Sequence, residues 1–130
     1  MRKIKSEIEQ YMTGLVKEEG KLTSRFAFPS EFIGFQGHFP EKKILPGVCQ
    51  IQCALSLLEK GMGRAVVLKE IVLAKYFSPL FPGDEMTCVV GVSGEVSGDV
   101  VVKAVITKDT TKVSELKLRV AFAEQGGSRS

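Results

Sequence analysis

The sequence predicts an α+β domain in which one long central helix is wrapped by a curled, mainly antiparallel sheet. Three observations carry that expectation. From Val48 to Leu58 nearly every position is apolar, through Cys49, Ile51, Cys53, Ala54, Leu55 and Leu57. A helix that is apolar all round is enclosed all round. After Gly63 the period changes to two, and four strand-like runs follow one another with turn-rich stretches between them. Strands joined by tight turns pair antiparallel. The chain has 130 residues, enough for one good core and too few for two, so the sheet has to curl around the helix.

Each element has its own signal. Ile4, Ile8, Tyr11, Met12 and Leu15 recur at helical spacing, with Lys5, Glu7, Glu9 and Lys17 on the other face. Gly20 closes the stretch, so the pattern predicts an amphipathic helix over about residues 3–18, packed on the domain as an N-terminal unit of residues 1–20. Leu22, Ser24, Phe26 and Phe28 then alternate with polar residues in a strand ended by Pro29. Residues 29–47 have no period; Phe32, Ile33, Phe35 and Phe39 crowd among Gly34, Gly37, Pro40 and Pro46. A loop this apolar lies against a core or lines a pocket. Pro46-Gly47 opens the buried helix, and Gly61 or Gly63 ends it. Strands are expected from Val66 to about Phe77, Met86 to Val96, Val100 to Lys108 and Val113 to Ala123. The hairpin turns are expected at Gly98-Asp99 and at Asp109 to Lys112. A single domain over residues 1–125 leaves 126–130 as a flexible tail.

Composition excludes several classes. The chain is 44% apolar and 25% charged, which is globular rather than disordered. Eighteen basic against fifteen acidic residues give +3, too weak and too scattered for a nucleic-acid binder. No run approaches a membrane span, and Met1-Arg2-Lys3 leads into charge rather than an apolar signal region. Three cysteines, Cys49, Cys53 and Cys88, fit a reducing compartment better than a disulfide framework. A cytoplasmic location is the expectation. His38 is the chain's one histidine, so its surroundings matter most.

Gly37-His38-Phe39-Pro40, followed by Leu45-Pro46-Gly47-Val48, resembles the signature of the β-hydroxyacyl-acyl-carrier-protein dehydratases, a family with the hot-dog fold. Lys75-Tyr76 followed by Pro79-Leu80-Phe81-Pro82-Gly83-Asp84 is similar to that family's basic-aromatic strand end and its P-x-x-P-G-D turn. The matches run in family order over about residues 31–125. The resemblance implies a homodimer, or a multiple of dimers, whose sheets join edge to edge, with an acyl tunnel at the interface. His38 of one chain would face Gln52 of the other, and Phe32, Ile33, Phe35, Phe39, Pro46 and Val48 would line the tunnel. The substrate it implies is a (3R)-hydroxyacyl thioester carried on acyl carrier protein in fatty-acid or related lipid or polyene synthesis. It implies neither metal nor organic cofactor.

Dehydration of such a thioester needs a base at C2, a donor to the developing enolate oxygen and an acid for the departing hydroxyl. By resemblance His38 is the base, and imidazole titrates in the working range. Gly47 opens the central helix, where unpaired N–H groups and the helix dipole favour negative charge on the thioester oxygen. The third role departs from the family. Fourteen residues after His38, where the family carries Glu or Asp, this chain has Gln52. An amide holds a hydroxyl by hydrogen bonds but does not deliver a proton; protonated His38 can return it instead.

Other readings of the same residues stand beside this one. Gln52 is either substrate-facing or a core amide satisfied by a carbonyl, and Gln50 reads as structural. Cys49 and Cys53 with His38 make an incomplete metal site, and fit better as small core residues. Lys42-Lys43 and Arg2-Lys3-Lys5 are solvated charge or a docking surface for an acidic carrier. At the level of function, the rivals are a catalytically weak acyl-binding subunit paired with an active paralogue, and a hot-dog thioesterase. The thioesterase lacks a helical carboxylate before Glu59.

Overall fold

A computed structural model describes residues 2–35 and 43–123. Helix α1 (Arg2–Gln10) leads into strands β1 (Met12–Glu18) and β2 (Lys21–Ala27), then a 3-10 turn at Ile33–Phe35. Helix α2 (Gly47–Met62) follows, then β3 (Val66–Tyr76), β4 (Glu85–Val96), β5 (Asp99–Lys108) and β6 (Thr111–Phe122). The six strands form one sheet in the order β1-β2-β4-β5-β6-β3, with every neighbouring pair antiparallel. β3 and β1 are the edges, and the link from β3 to β4 passes over β6 and β5.

The expected helix over residues 3–18 is only half right. The helix stops at Gln10, and residues 12–18 form an edge strand on β2. Ile8 is buried and Ile4, Tyr11 and Met12 are partly so, but Leu15 is exposed. Gly14 has φ 65°, at a break in register between Thr13 and Val16. Glu19 and Gly20 both have positive φ, and Glu18 pairs with Lys21 across them, which makes a two-residue hairpin. Helix formation through Gly14, Thr13 and Val16 is weak locally, and pairing satisfies the otherwise bare edge of β2. A second hairpin turns at Ser97-Gly98, one residue before the expected Gly98-Asp99, with both φ values positive.

α2 begins on Pro46, whose carbonyl accepts from Cys49 and Gln50 N–H at 3.0 and 3.2 Å, and ends on Gly63 at φ 67°. The sheet inner face presents Phe26, Met86, Cys88, Val90, Val102, Ala104, Ile106, Leu116 and Leu118, all buried. Against them α2 lays Cys53, Ala54, Leu57 and Leu58. The helix is not covered on all sides, contrary to the expectation from its composition. Val48 is 54% exposed, and Gln52 and Leu55 are intermediate, so positions 48, 52 and 55 form one open stripe. The sheet and α1 both pack against the helix, and this stripe is what they leave open.

Phe32 and Phe35 are core residues. Phe28 stacks on Phe32 at 4.4 Å, and Phe35 and Tyr11 meet the Phe32 ring edge-on at 5.7 and 6.3 Å. The Pro82-Gly83-Asp84 turn is tied in from both sides. Gly83 N–H donates to the Phe28 carbonyl at 2.8 Å, and Asp84 accepts from Phe81 N–H at 2.9 Å and from Lys108 at 3.0 Å. Among the described residues, no helix is long and apolar enough to cross a membrane.

Candidate active site

The first turn of α2 is the chemically distinctive place. Leu45 N–H donates to the Leu80 carbonyl at 2.8 Å, which fixes the approach to the helix. Pro46 has no N–H, and the Gly47 and Val48 N–H groups find no backbone acceptor among the described residues. These are the unpaired donors at the positive end of a 16-residue helix. The Tyr76 ring lies directly over Gly47: a methyl group there would stand 2.5 Å from the phenolic oxygen. A side chain at this position would have to push the half-exposed Tyr76 ring aside. Partial burial raises the pKa of Tyr76, so the phenol stays protonated and can donate.

An open cleft of about 380 Å³ lies here, lined by Ile44, Leu45, Pro46, Gly47, Gln50, Tyr76, Phe77, Ser78 and Pro79. Of the residues expected at the site, Pro46 and Gly47 border it. Phe32 and Phe35 do not, because they are consumed by the aromatic core, and Ile33 packs half-buried against that core. Val48 points outward on the open stripe. His38 and Phe39 lie outside the described residues.

Gln50, read from sequence as structural, is at the cleft wall. It is 3% exposed and its Oε1 has no partner among the described residues. A buried acceptor without a donor is costly, and such atoms gather at functional sites. The sequence signal was present in Gln50 as a polar residue three positions into an apolar helix, but helical phase alone did not tell which face the cleft would occupy.

Gln52 lies elsewhere. Five residues beyond Gly47 it is about 7.5 Å further along the axis and turned well round it, on the stripe with Val48 and Leu55. Its Nε2 donates to Ser56 Oγ at 2.9 Å, and Ser56 donates to Glu9 Oε2 at 3.0 Å. Gln52 is thus held by side chains, not by a backbone carbonyl.

The cysteines are interior. Burial pushes the Cys49 thiol up to about 11 and that of Cys88 up to about 12, and raises Cys53 well above its usual value. Thiolates are the nucleophiles and metal ligands; these groups remain thiols at neutral pH and pack as small apolar side chains.

A central helix opened by Pro-Gly and held in a six-stranded antiparallel sheet of this order is a hot-dog fold. Comparison with known proteins agrees. The dehydratase heterocomplex ApeI:P from Xenorhabdus doucetiae superposes with a TM-score of 0.73 at 18% identity, over 85% of this chain and 96% of that one. A virulence protein of Campylobacter jejuni superposes at 0.69 and 14% identity, over 94% and 97%. In sequence, the 3-hydroxyacyl-[acyl-carrier-protein] dehydratase FabZ of Clostridium novyi is 30% identical over 97 residues, 69% of this chain and 68% of the relative. FabZ of Bartonella bacilliformis is 42% identical over 60 residues, 40% of this chain and only 39% of the relative's length. The family model described as ApeI-like, ApeI dehydratase, matches residues 15–117. The chain belongs to that ApeI-like dehydratase family.

Proposed function

We propose that the protein dehydrates a (3R)-hydroxyacyl thioester on acyl carrier protein to the trans-2-enoyl thioester, in fatty-acid or related lipid or polyene synthesis in the cytoplasm. The observation that carries this reading is the first turn of α2, with a glycine amide that has no backbone acceptor among the described residues, beneath a protonated phenol and beside a cleft of mixed polar and apolar lining. In the reaction His38 removes the C2 proton. Gly47 N–H stabilises the negative charge that moves onto the thioester oxygen, worth about 3 kcal/mol in comparable sites. The C3–O bond then breaks, and the proton on His38 goes to the leaving hydroxyl, so that water departs. Gln52 holds that hydroxyl by hydrogen bonds.

Gly47 and Gln52 occupy different sides of α2, and a substrate reaches both kinds of group where two chains meet. The open stripe of Val48, Gln52 and Leu55 and the unpaired edge of β3 are the surfaces that a second copy would cover. We assign the tunnel to that interface, with His38 of one chain opposite Gln52 of the other and Pro46 and Val48 at its wall.

The test is direct. Purified protein is mixed with a 3-hydroxyacyl-acyl-carrier-protein, and the conjugated enoyl thioester is followed by its ultraviolet absorbance. Turnover that disappears in His38→Ala supports the reading; its absence from the parent protein with short and long acyl chains refutes it.

A further inference from the structure

Gln52 is the first member of a hydrogen-bonded chain of three side chains that crosses from one helix to the other. Ser56 is completely buried, one turn after Gln52 on α2, and its hydroxyl bridges Gln52 Nε2 at 2.9 Å and Glu9 Oε2 of α1 at 3.0 Å. The direction of the chain follows from the chemistry of its members. A carboxylate only accepts, and a serine hydroxyl has one proton to give. That proton goes to Glu9, so Ser56 receives from Gln52, and the group that Gln52 turns to it must be its NH₂. The amide carbonyl is then turned away from Ser56, on a residue that is only part-buried and so open to a ligand.

Glu9 is in a suitable place to set this direction. It borders a solvent-open groove of about 350 Å³ with Lys5, Glu59, Lys60 and Arg64, and Lys60 approaches its other oxygen at 3.8 Å. It stands there as the acceptor that ends the chain. α1 has separate anchors: Ile8 in the core and the Lys5–Glu59 ion pair at 2.8 Å. Glu9 is therefore not what holds the helix on.

We infer that Glu9 and Ser56 are positioning residues for Gln52, locking its amide so that the carbonyl oxygen faces the substrate and accepts from the hydroxyl that leaves. This rests on the dehydratase reading of the site. It explains how an amide serves at the position: an acceptor aligns the C3 hydroxyl, and the proton comes from His38. Without Glu9, the Ser56 hydroxyl is released to donate to Gln52, and the amide turns over to present NH₂, which does not accept.

The experiment uses Glu9→Ala and Ser56→Ala, read by turnover of a 3-hydroxyacyl-acyl-carrier-protein and by the side-chain amide resonances of Gln52, assigned through their loss in Gln52→Ala. Both variants should keep the melting transition cooperative, shift or broaden the Gln52 amide signals, and lower kcat about tenfold or more with KM little changed. The Ser56 change is small enough to fold even if the Glu9 change is not. Unaltered Gln52 signals, or altered signals with parental kcat, overturn the inference while the dehydratase reading stands. A fall in melting temperature alone, with kcat unchanged, also overturns it. A parent protein without turnover overturns both, and is told apart by needing no variant.

Discussion

Gly47 is the residue on which most depends, since one position combines an amide with no backbone acceptor among the described residues and a place where a Cβ would collide with the Tyr76 ring. Gly47→Ala should force the Tyr76 ring aside and reduce turnover by about 100-fold, the scale of losing an oxyanion donor. Tyr76→Ala in the same background removes the obstructing ring, so recovery of part of the lost rate would show that the obstruction was steric. At Gln52 the expected outcome is a gain. A carboxyl at 52 would be part-buried and near the carboxylate of Glu9, and both effects raise its pKa and keep part of it protonated, as a general acid requires. Gln52→Glu should therefore raise dehydration about tenfold while lowering the melting temperature by roughly 2–5 °C. The lower melting temperature without faster turnover would identify a purely structural amide.

At the scale of elements, the Pro82-Gly83-Asp84 turn is a joint that holds β4 to the end of β2. Partial burial by itself would raise the Asp84 pKa, yet the Phe81 N–H and the Lys108 ammonium outweigh it and hold the carboxyl below its ordinary value. A carboxyl depressed in the folded state contributes stability fully above its unfolded value of about 3.9 and loses it as pH falls through the lower folded value. Asp84→Asn should thus melt lower than the parent at pH 7, and the gap should close as pH falls below the ordinary carboxylate range and through the lowered folded value. A gap that persists in acid would assign the effect to the amide's shape rather than to charge. α1 has its own test. Ile8 is wholly buried, and Ile8→Ala should cost about 2–5 kcal/mol in denaturant unfolding if α1 is part of the core rather than an appendage.

At the scale of the molecule, the two sheet edges differ. β1 is broken by the Gly14 irregularity and carries Lys17 and Glu18, which blunts it against pairing. β3 runs for 11 residues with Val67, Ile71, Val72 and Tyr76 about half exposed, and Phe77 follows it. Such an edge is a template for pairing with another chain. Light scattering should give a dimer or a multiple of dimers, and Val72→Lys should shift it toward monomer with loss of turnover. A parent protein that is monomeric at micromolar concentration would remove the shared tunnel.

The fold was legible in local patterns. Eight apolar positions among the eleven from Val48 to Leu58 announced the central helix, though not the face it leaves open, and period-two alternation after Gly63 announced strands that fall within a residue or two of β3 to β6. These signals are local because burial of a whole helix or of one strand face is written into consecutive residues. The helix spacing of Ile4, Ile8 and Tyr11 was equally real, but Leu15 matched it by coincidence, and pairing with β2 decided residues 12–18. Pairing is a contact between segments, and no window of one segment contains it. The same limit holds at the site. That Pro46-Gly47 opens a helix could be read from its own letters, because a helix start has its free amides whatever surrounds it, but the cleft beside it is made by segments far apart in sequence. That Phe32 and Phe35 fill the core, that Gln50 faces the cleft, and that Gln52 is tied through Ser56 to Glu9 were decided by tertiary structure. Ser56 and Glu9 are 47 residues apart, and only the docking of one helix on another brings a hydroxyl and its acceptor within reach.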